Sequence, residues 1–396
     1  MTMMIESAQV MVPEQGLTCV RVLRERPGYL ELTPDTPAHI PGNGQYVLLA
    51  CLAPSEEELT VRLRWPPDLE TLPPGFDYPH NRNFGEVLSE VIFERPEGRS
   101  GWTRLTRTER FADGASVVLP PSDTPRWIST GVPYEAWRYA DLLKAVRTAG
   151  EWEVSEIGRS RGGHPIHGFF RPAAADSRGV LCMQAYQHYS EWAGLHAMDA
   201  LLRAPSAALP GAEHFAWAVI PCVHRDALEG GWRADRMYNG EGLAHPDGGN
   251  FNRDWLNFSR PETRACRDFF LEKAGQGQAL HFLDWHNGWS SPDCSGGGIT
   301  VHKPGQLTPE AEKTERDFTA HFLRQVDIED FPWVHSELDR PNAAAWARRE
   351  LGCIGQTLEV SHFRGFTADK SPCPVSEAYY RRLGPQSAGA LIAWHS

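Results

Sequence analysis

Apolar residues in the first third of the chain fall into short runs in which β-branched or alternating positions dominate. Turns rich in Pro and Gly separate these runs, which is typical of short strands joined by tight connections. Strands are predicted at residues 17–23, 45–52, 59–65 and 114–119. Several short strands with frequent turns predict a small β-sandwich domain over residues 1–125.

The segment 120–125, Pro-Pro-Ser-Asp-Thr-Pro, predicts a domain boundary. Its prolines and turn-forming polar residues interrupt both strand and helix patterns. We therefore expect a second domain over residues 126–396.

In this second domain, apolar residues at helical spacing alternate with short apolar runs. The predicted helices cover residues 133–146, 193–202, 261–273, 310–326, 343–351 and 376–394. The predicted strands cover residues 152–157, 165–170, 180–183, 215–221, 280–285 and 355–360, and the first two form a hairpin. This alternation predicts a three-layer α/β/α fold around a mixed, largely parallel sheet.

Composition and charge exclude several function classes. The chain has 396 residues, 41% of them hydrophobic and 23% charged, which is ordinary for a globular protein with a large core. Its net charge of −12 argues against a nucleic-acid partner, because phosphate attraction needs clustered Lys and Arg. No apolar run approaches the roughly 18 to 20 residues of a membrane span. Nothing in the sequence indicates an oligomeric state.

The N-terminus and the cysteines predict a cytoplasmic location. The first nine residues lack a basic region followed by an apolar run, the pattern of an export signal. The eight cysteines are scattered and show no CxxC spacing. Reduced thiols without an export signal favour the cytoplasm.

His188 and Glu191 are the first candidate metal ligands. They follow the apolar run 179–183 and precede a predicted helix, so a buried strand delivers both to a strand-to-helix turn. Residues three apart share one helical face, and an imidazole and a carboxylate there can reach one ion. Alone, this pair is weak evidence, because a lone histidine is more often a hydrogen-bonded polar residue.

Two further predicted strands end in residues of the same kind. His286 follows the strand 280–285, and Glu359 lies in the strand 355–360. Reactive groups gather at the carboxyl edge of α/β sheets, and two histidines with one glutamate form the three-ligand set of a catalytic zinc site. The alternatives are a core histidine bonded to Asp284, and a Glu359 carboxylate paired with an arginine or a metal, since an unpaired buried charge is costly.

A group of polar side chains in Gly-rich loops predicts an anion-binding site. Arg233, Arg236 and Arg253, together with Asn252, offer planar donors for a carboxylate or an oxyanion. The alternative is a set of surface loops tied by Asp254 or a neighbouring aspartate.

These motifs together resemble the zinc metallocarboxypeptidase family, the pancreatic carboxypeptidase-like enzymes. The family shows His-x-x-Glu, commonly followed by Trp, as in 188–192 here, and an Asn-Arg pair, as in 252–253. It also shows a third ligand within Asp-x-His, as in 284–286, and a glutamate on a late strand, as at Glu359. The resemblance covers residues 133–394. The preceding β-domain resembles the cytosolic carboxypeptidase branch.

The resemblance implies a role for each residue. His188, Glu191 and His286 would bind one zinc ion per chain, and Glu359 would act as the general base. Asn252 and Arg253 would hold the terminal carboxylate of a peptide or protein substrate. Arg233 would stabilise the oxyanion, with Arg236 as the competing choice.

The chain departs from the family in residues that govern substrate choice. Residues 334–342 lack the tyrosine that caps the substrate in the family, and Asn287-Gly288 replaces its Ser-Tyr type of sequence. Residues 343–345 are all alanine, where the family often sets side-chain preference. The alternative function is a related zinc amidohydrolase acting on an N-acyl amino acid, similar to the desuccinylase and aspartoacylase group. A non-catalytic module is disfavoured, because ligands, base and arginines are all present.

Overall fold

The structure is a computed structural model, and the residues it describes fall into several ranges. They are 9–11, 20–34, 49–64, 92–98, 101–106, 109–111, 114–174, 176–189, 191–230, 250–275, 278–288, 298–329, 332–336, 338–362 and 364–396. The described residues form two compact units. The first contains the residues up to Pro133 together with Gly230, and the second contains the others.

The first unit is built from ten described strands in two five-stranded sheets. One sheet has the order β1-β4-β10-β6-β7 and the other β2-β3-β5-β9-β8. Apolar side chains of both sheets, among them Leu30, Ala50, Val61 and Ile128, share one buried core, so the predicted β-sandwich is present. The strands are β1 Val10–Met11, β2 Val20–Arg26, β3 Tyr29–Pro34, β4 Leu49–Leu52, β5 Leu59–Arg64, β6 Ile92–Pro96, β7 Thr103–Leu105, β8 Glu109–Phe111, β9 Gly114–Leu119 and β10 Arg126–Ser129.

The proline-rich segment 120–125 is a connection within the first unit, not a boundary between two units. It leads from β9 in one sheet to β10 in the other, and Ser122 forms a bridge with Ser55. β10 pairs antiparallel with both β4 and β6. Residues 126–129, which we expected to open the second domain, therefore form a central strand of the first unit, because a proline-rich turn can equally well carry a chain between two packed sheets.

The second unit contains a sheet of eight described strands in the order β11-β12-β14-β13-β15-β18-β16-β17. Its centre, β14-β13-β15-β18, is parallel, while β11, β12 and β16 add antiparallel pairs. The strands are β11 Glu153–Arg159, β12 Pro165–Arg171, β13 Val180–Ala185, β14 Ala216–Ile220, β15 Ala279–Gly288, β16 Gly298–His302, β17 Pro332–Ser336 and β18 Ile354–Ser361, with a small hairpin of β19 Arg364–Phe366 and β20 Pro372–Pro374. The mixed, largely parallel sheet is confirmed.

Helices pack on both faces of this sheet. Phe270 of α4 and Trp346 of α6 contact Phe282 on one face, while Phe318 of α5 contacts His281 on the other. The described helices are α1 Ala136–Ala149, α2 Trp192–Arg203, α3 Arg225–Gly230, α4 Pro261–Gly275, α5 Pro309–Gln325, α6 Ala343–Trp346 and α7 Glu377–His395, and a π-helical turn Ala347–Leu351 continues α6. This arrangement is the three-layer fold that the alternating pattern predicted.

Two glycines allow α2 to approach its neighbours closely. A Cβ atom at Gly194 would lie 2.7 Å from the Cβ of Ala185 and 3.0 Å from that of Trp285, both in the sheet. At Gly384 of α7, a Cβ atom would lie 1.9 Å from the carbonyl oxygen of Ala197 in α2. A larger residue at Gly194 would push α2 away from the sheet, and one at Gly384 would push α2 and α7 apart.

The strands β16 and β17 were not predicted from the sequence. They extend the sheet beyond β18, where Gly298 and Ile299 pair with Glu359 and Leu358. Both strands are only five residues long, and the second strand has no regular alternation of apolar and polar residues. No helix in the described part of the chain is long and apolar enough to cross a membrane.

Buried His281 makes the stability of the second unit sensitive to acid. The side chain is fully buried beside Phe318, and burial, together with the charges of His395 and Arg348, lowers its pKa well below the usual value. Below about pH 6.5, His281 binds a proton in the unfolded chain but stays neutral in the folded protein. The free energy of unfolding should then fall by roughly 1.4 kcal/mol per pH unit for this one group.

We expect His281→Gln to remove this contribution while keeping a polar side chain of similar size. Guanidinium unfolding at pH 7.5 and at pH 5.5 measures the loss of stability on acidification, which should be smaller in the variant. His214→Gln, which removes a partly exposed histidine, is the matched control. An unchanged loss in His281→Gln would contradict the assignment.

Candidate metal centre

Three parallel strands deliver the predicted ligands and base to one edge of the sheet. His188 and Glu191 follow the carboxyl end of β13, while His286 and Glu359 lie near the carboxyl ends of β15 and β18. His286 and Glu359 are directly paired in register, so both side chains point to the same face of the sheet. The structure therefore brings together all four residues.

The pairing of His188 with Glu191 arises from a turn, in contrast to the predicted shared helical face. α2 begins at Trp192 with Glu191 as its N-cap residue, so His188 precedes the helix. Tyr186 holds the left-handed conformation, with φ of 60°, which is unusual for a bulky residue. The backbone amide of His224 donates to the Tyr186 carbonyl over 2.9 Å and holds this turn in place.

The Glu191 carboxylate lies between the two histidines. Its Oε1 atom is 2.9 Å from Nδ1 of His188, and its Oε2 atom is 2.8 Å from Nδ1 of His286. Candidate ligand atoms of the three residues all lie within 4.8 Å of one another. Glu191 forms no side-chain cap hydrogen bond at the start of α2, and its two oxygens contact the imidazoles instead.

Charge holds this cluster in a strongly polarised state. Burial by itself would raise the pKa of Glu191, but His188 and His286 bring it down to about 2. Burial would lower the pKa of His286, yet the Asp284 and Glu191 carboxylates raise it well above the usual value. Negative charge thus converges on a buried point where two imidazole nitrogens also meet, which is the environment of a cation.

Asp284 contacts the ring nitrogen of His286 that faces away from Glu191, and two glutamines hold Asp284 in place. Oδ2 of Asp284 lies 2.9 Å from Nε2 of His286, while the side-chain amides of Gln184 and Gln187 donate to Asp284 over 3.0 and 2.8 Å. Gln187 in turn accepts a hydrogen bond of 2.8 Å from the Trp255 indole. A carboxylate behind a metal-binding imidazole fixes its orientation and tautomer. The contact of His286 with Asp284, which the sequence offered as an alternative to a metal site, exists and is compatible with a metal site.

Asn287 fixes the start of α2 and thereby the position of Glu191. Its side-chain oxygen accepts from the backbone amide of Ala193 over 3.1 Å, and its amide donates to the carbonyl of Val360 over 3.1 Å. Asn287 is almost fully buried. The Asn287-Gly288 departure from the resembled family thus has a structural use in this chain.

The carboxyl group of Glu359 is densely surrounded by protein atoms, but part of the residue's surface remains accessible to solvent. Burial raises its pKa to about 7, helped by the charges of Glu191 and Asp284, while the histidines act in the opposite direction. Within the described ranges, no hydrogen bond reaches its carboxylate. An accessible carboxylate with a pKa near neutrality can accept a proton from a molecule that enters the site.

Asn252 and Arg253 lie on a short 3₁₀ helix, Phe251–Arg253, beside the histidines. Nδ2 of Asn252 is 3.2 Å from Nε2 of His286, and its side-chain oxygen accepts from the amide of Ala343 over 3.0 Å. Asp254 accepts hydrogen bonds from the backbone amides of Ser259 and Arg260, so it is committed to the turn before α4. Arg233 and Arg236 lie outside the described residues.

Several buried or half-buried polar residues around the centre were assigned no role from the sequence. They are Gln184, Gln187, Asn250, Trp255 and Asn287, all within two hydrogen bonds of a candidate ligand or of the helix that carries one. Gln184 and Gln187 sit just before His188 in the sequence, and a polar side chain at the end of an apolar strand is the signal that could have marked them.

Comparisons of structures identify proteins with the same architecture. A metallo-carboxypeptidase from Pseudomonas aeruginosa, in complex with (2-guanidinoethylmercapto)succinic acid, aligns with a TM-score of 0.71 at 19% identity and covers 99% of this chain and 98% of its own. A metallo-carboxypeptidase from Burkholderia cenocepacia aligns with a TM-score of 0.70 at 16% identity over 95% and 96%. The chain has the metallo-carboxypeptidase fold.

Another match covers a smaller part of the chain. Carboxypeptidase A from Helicoverpa armigera aligns with a TM-score of 0.50 at 16% identity and covers 66% of this chain. The two bacterial proteins cover nearly all of it, the N-terminal unit included. No family model and no curated protein sequence matches the chain.

We expect Glu191→Gln to abolish tight binding of a divalent cation. The change keeps the size of the side chain but removes the charge shared by His188 and His286. The loss should exceed the roughly 10- to 100-fold that outer partners of a metal site contribute. Equilibrium dialysis with Zn²⁺ measures it, and Glu359→Gln, outside the three-residue cluster, is the control that should retain the ion. Equal affinities in both variants would contradict this ligand set.

Proposed function

We propose that the protein is a zinc-dependent metallocarboxypeptidase that hydrolyses the C-terminal peptide bond of a peptide or protein. The observation that carries this proposal is the convergence of His188, Glu191 and His286 beside Glu359, whose carboxylate has no hydrogen-bond partner among the described residues. This group lies at the carboxyl edge of a sheet whose fold is that of metallo-carboxypeptidases.

Two imidazoles and one carboxylate fit zinc better than they fit Ca²⁺ or Mg²⁺. Zinc takes His and Glu ligands in catalytic sites and leaves a further position for water or substrate, whereas Ca²⁺ and Mg²⁺ prefer oxygen ligands alone. His188, Glu191 and His286 would hold the ion. When bound, it supplies positive charge that polarises the scissile carbonyl and makes water more acidic.

Glu359 would act as the general base. Its carboxylate accepts a proton from the attacking water and then delivers it to the amine that leaves. The ionised form is required for the first transfer, so activity should fall as the pH drops through the pKa of Glu359. That pKa is about 7 before a cation binds, and nearby positive charge would lower it.

Asn252 and Arg253 would recognise the substrate's terminal carboxylate, Arg253 through a planar guanidinium suited to bidentate contact. The Pseudomonas protein forms a complex with (2-guanidinoethylmercapto)succinic acid, a compound that carries carboxylates, and this supports an anionic ligand for a protein of this fold. Arg233 or Arg236 would stabilise the oxyanion, a role that stays a prediction. A cytoplasmic location also stays a prediction, which cell fractionation can test.

Glu359→Gln should retain about one zinc ion per chain and lose most turnover, by roughly 100-fold or more, because an amide cannot accept the proton. Metal analysis and steady-state kinetics on a peptide with a free C-terminus measure the two quantities on the same preparation. Near-normal turnover would remove Glu359 from the mechanism, and absence of zinc from the wild-type protein after reconstitution would refute the metal site.

Arg253→Ala should weaken turnover of peptides with a free C-terminal carboxylate far more than turnover of the same peptides with an amidated end. Loss of one charged hydrogen-bonding partner costs about 1.5–3 kcal/mol, or roughly 10- to 150-fold in kcat/KM. A matched set of free and amidated peptides, assayed beside N-acyl amino acids, measures the effect. Equal losses on both peptide forms, with better turnover of N-acyl amino acids, would favour the amidohydrolase alternative.

A further inference from the structure

The two histidines of the metal centre are backed by acceptors of different charge. Behind His286 stands the Asp284 carboxylate, 2.9 Å from Nε2. Behind His188 stands the side-chain amide of Asn250, whose Oδ1 atom lies 2.8 Å from Nε2. One imidazole is therefore backed by a charged acceptor and the other by a neutral one.

The orientation of the Asn250 amide follows from its second contact. Its Oδ1 atom also accepts from the backbone N–H of Asn252 over 2.8 Å. A backbone N–H can only donate, so the atom between Asn252 and His188 is the oxygen. His188 must then carry its proton on Nε2. In the neutral ring this leaves the lone pair on Nδ1, the nitrogen that faces Glu191.

The charge of the acceptor alters the ligand. A hydrogen bond to a carboxylate is roughly twice as strong as one to a neutral amide, and a charged partner raises the basicity of a metal-binding imidazole. Asp284 is further held by the amides of Gln184 and Gln187. His286 is thus the firmly oriented ligand, while the orientation and donor strength of His188 depend on one amide.

We propose that Asn250 is the positioning residue of His188 and that its neutral amide sets the affinity of the centre for its metal ion. This inference rests on the proposed zinc site. It assigns to Asn250 a role through His188, without contact to substrate or metal.

The position of Asn250 also connects the metal to the substrate clamp. Asn250 is the N-cap of the 3₁₀ helix Phe251–Arg253, which carries both residues proposed to hold the substrate carboxylate. A shift of His188 on metal binding would act on the same oxygen that caps this helix. Metal occupancy and the order of residues 250–253 are therefore linked.

Two substitutions separate the contact with His188 from the helix cap. Serine is a good N-cap, but its hydroxyl is too short to reach His188, so Asn250→Ser keeps the cap and loses the contact. Aspartate keeps both the cap and the reach, and adds a charge, so Asn250→Asp strengthens the contact.

The experiment measures Zn²⁺ affinity of the full-length protein by competition with a chromophoric chelator. We expect Asn250→Ser to bind zinc roughly 10- to 100-fold more weakly than wild type, and Asn250→Asp to bind it more tightly, by about tenfold. Thermal melting of the metal-free proteins checks that both variants fold. A higher zinc affinity in Asn250→Asp cannot arise from misfolding, so this variant tests the proposal even if Asn250→Ser folds poorly.

Hydrogen exchange gives a second readout that a cap alone would not change. Zinc should slow amide exchange within residues 250–253 of the wild-type protein and have little effect there in Asn250→Ser. Wild-type protein that binds no zinc would overturn the proposed metal site itself. Wild-type protein that binds zinc, with both variants within twofold of its affinity, would overturn only the role of Asn250.

Discussion

A buried carboxylate shared by two imidazoles is the interaction on which the site depends. Glu191 is almost fully buried, and each of its oxygens contacts one histidine. A charge in such a place costs several kcal/mol unless opposite charge or strong donors surround it. The local structure supplies them: the turn at Tyr186 carries His188 into place, Asn287 holds the start of α2, and β15 presents His286.

A second buried carboxylate, that of Asp284, also needs partners that offset the cost of burying its charge. Asp284 is fully buried, and it is matched by His286 and by two glutamine amides. Trp255 satisfies Gln187 and at the same time packs against Trp346 in the aromatic core. The polar centre is thus anchored in the apolar layer beneath it, which limits how far the ligands can move. Such preorganisation is what a metal site requires.

Much of this arrangement follows from local patterns in the chain. The alternation of apolar runs and helical spacing predicted the layers and the parallel strands, because burial on both faces leaves its mark on every central strand. The polar residues at strand ends predicted the site, since parallel strands meet at one edge. The strands β16 and β17 and the place of β10 in the first unit were not predicted, because their pairing joins segments far apart in the sequence.

The candidate ligands and base could be recognised in the sequence, since their chemical type and their position at strand ends are local properties. The hydrogen-bond partners of these residues could be identified only in the folded chain. Asn250 lies 62 positions from His188, and Gln187 lies 97 from Asp284, so no local pattern links either pair. The hydrogen bonds exist because the packed sheet and the 250–255 stretch bring these buried polar atoms to one place, where each needs a partner.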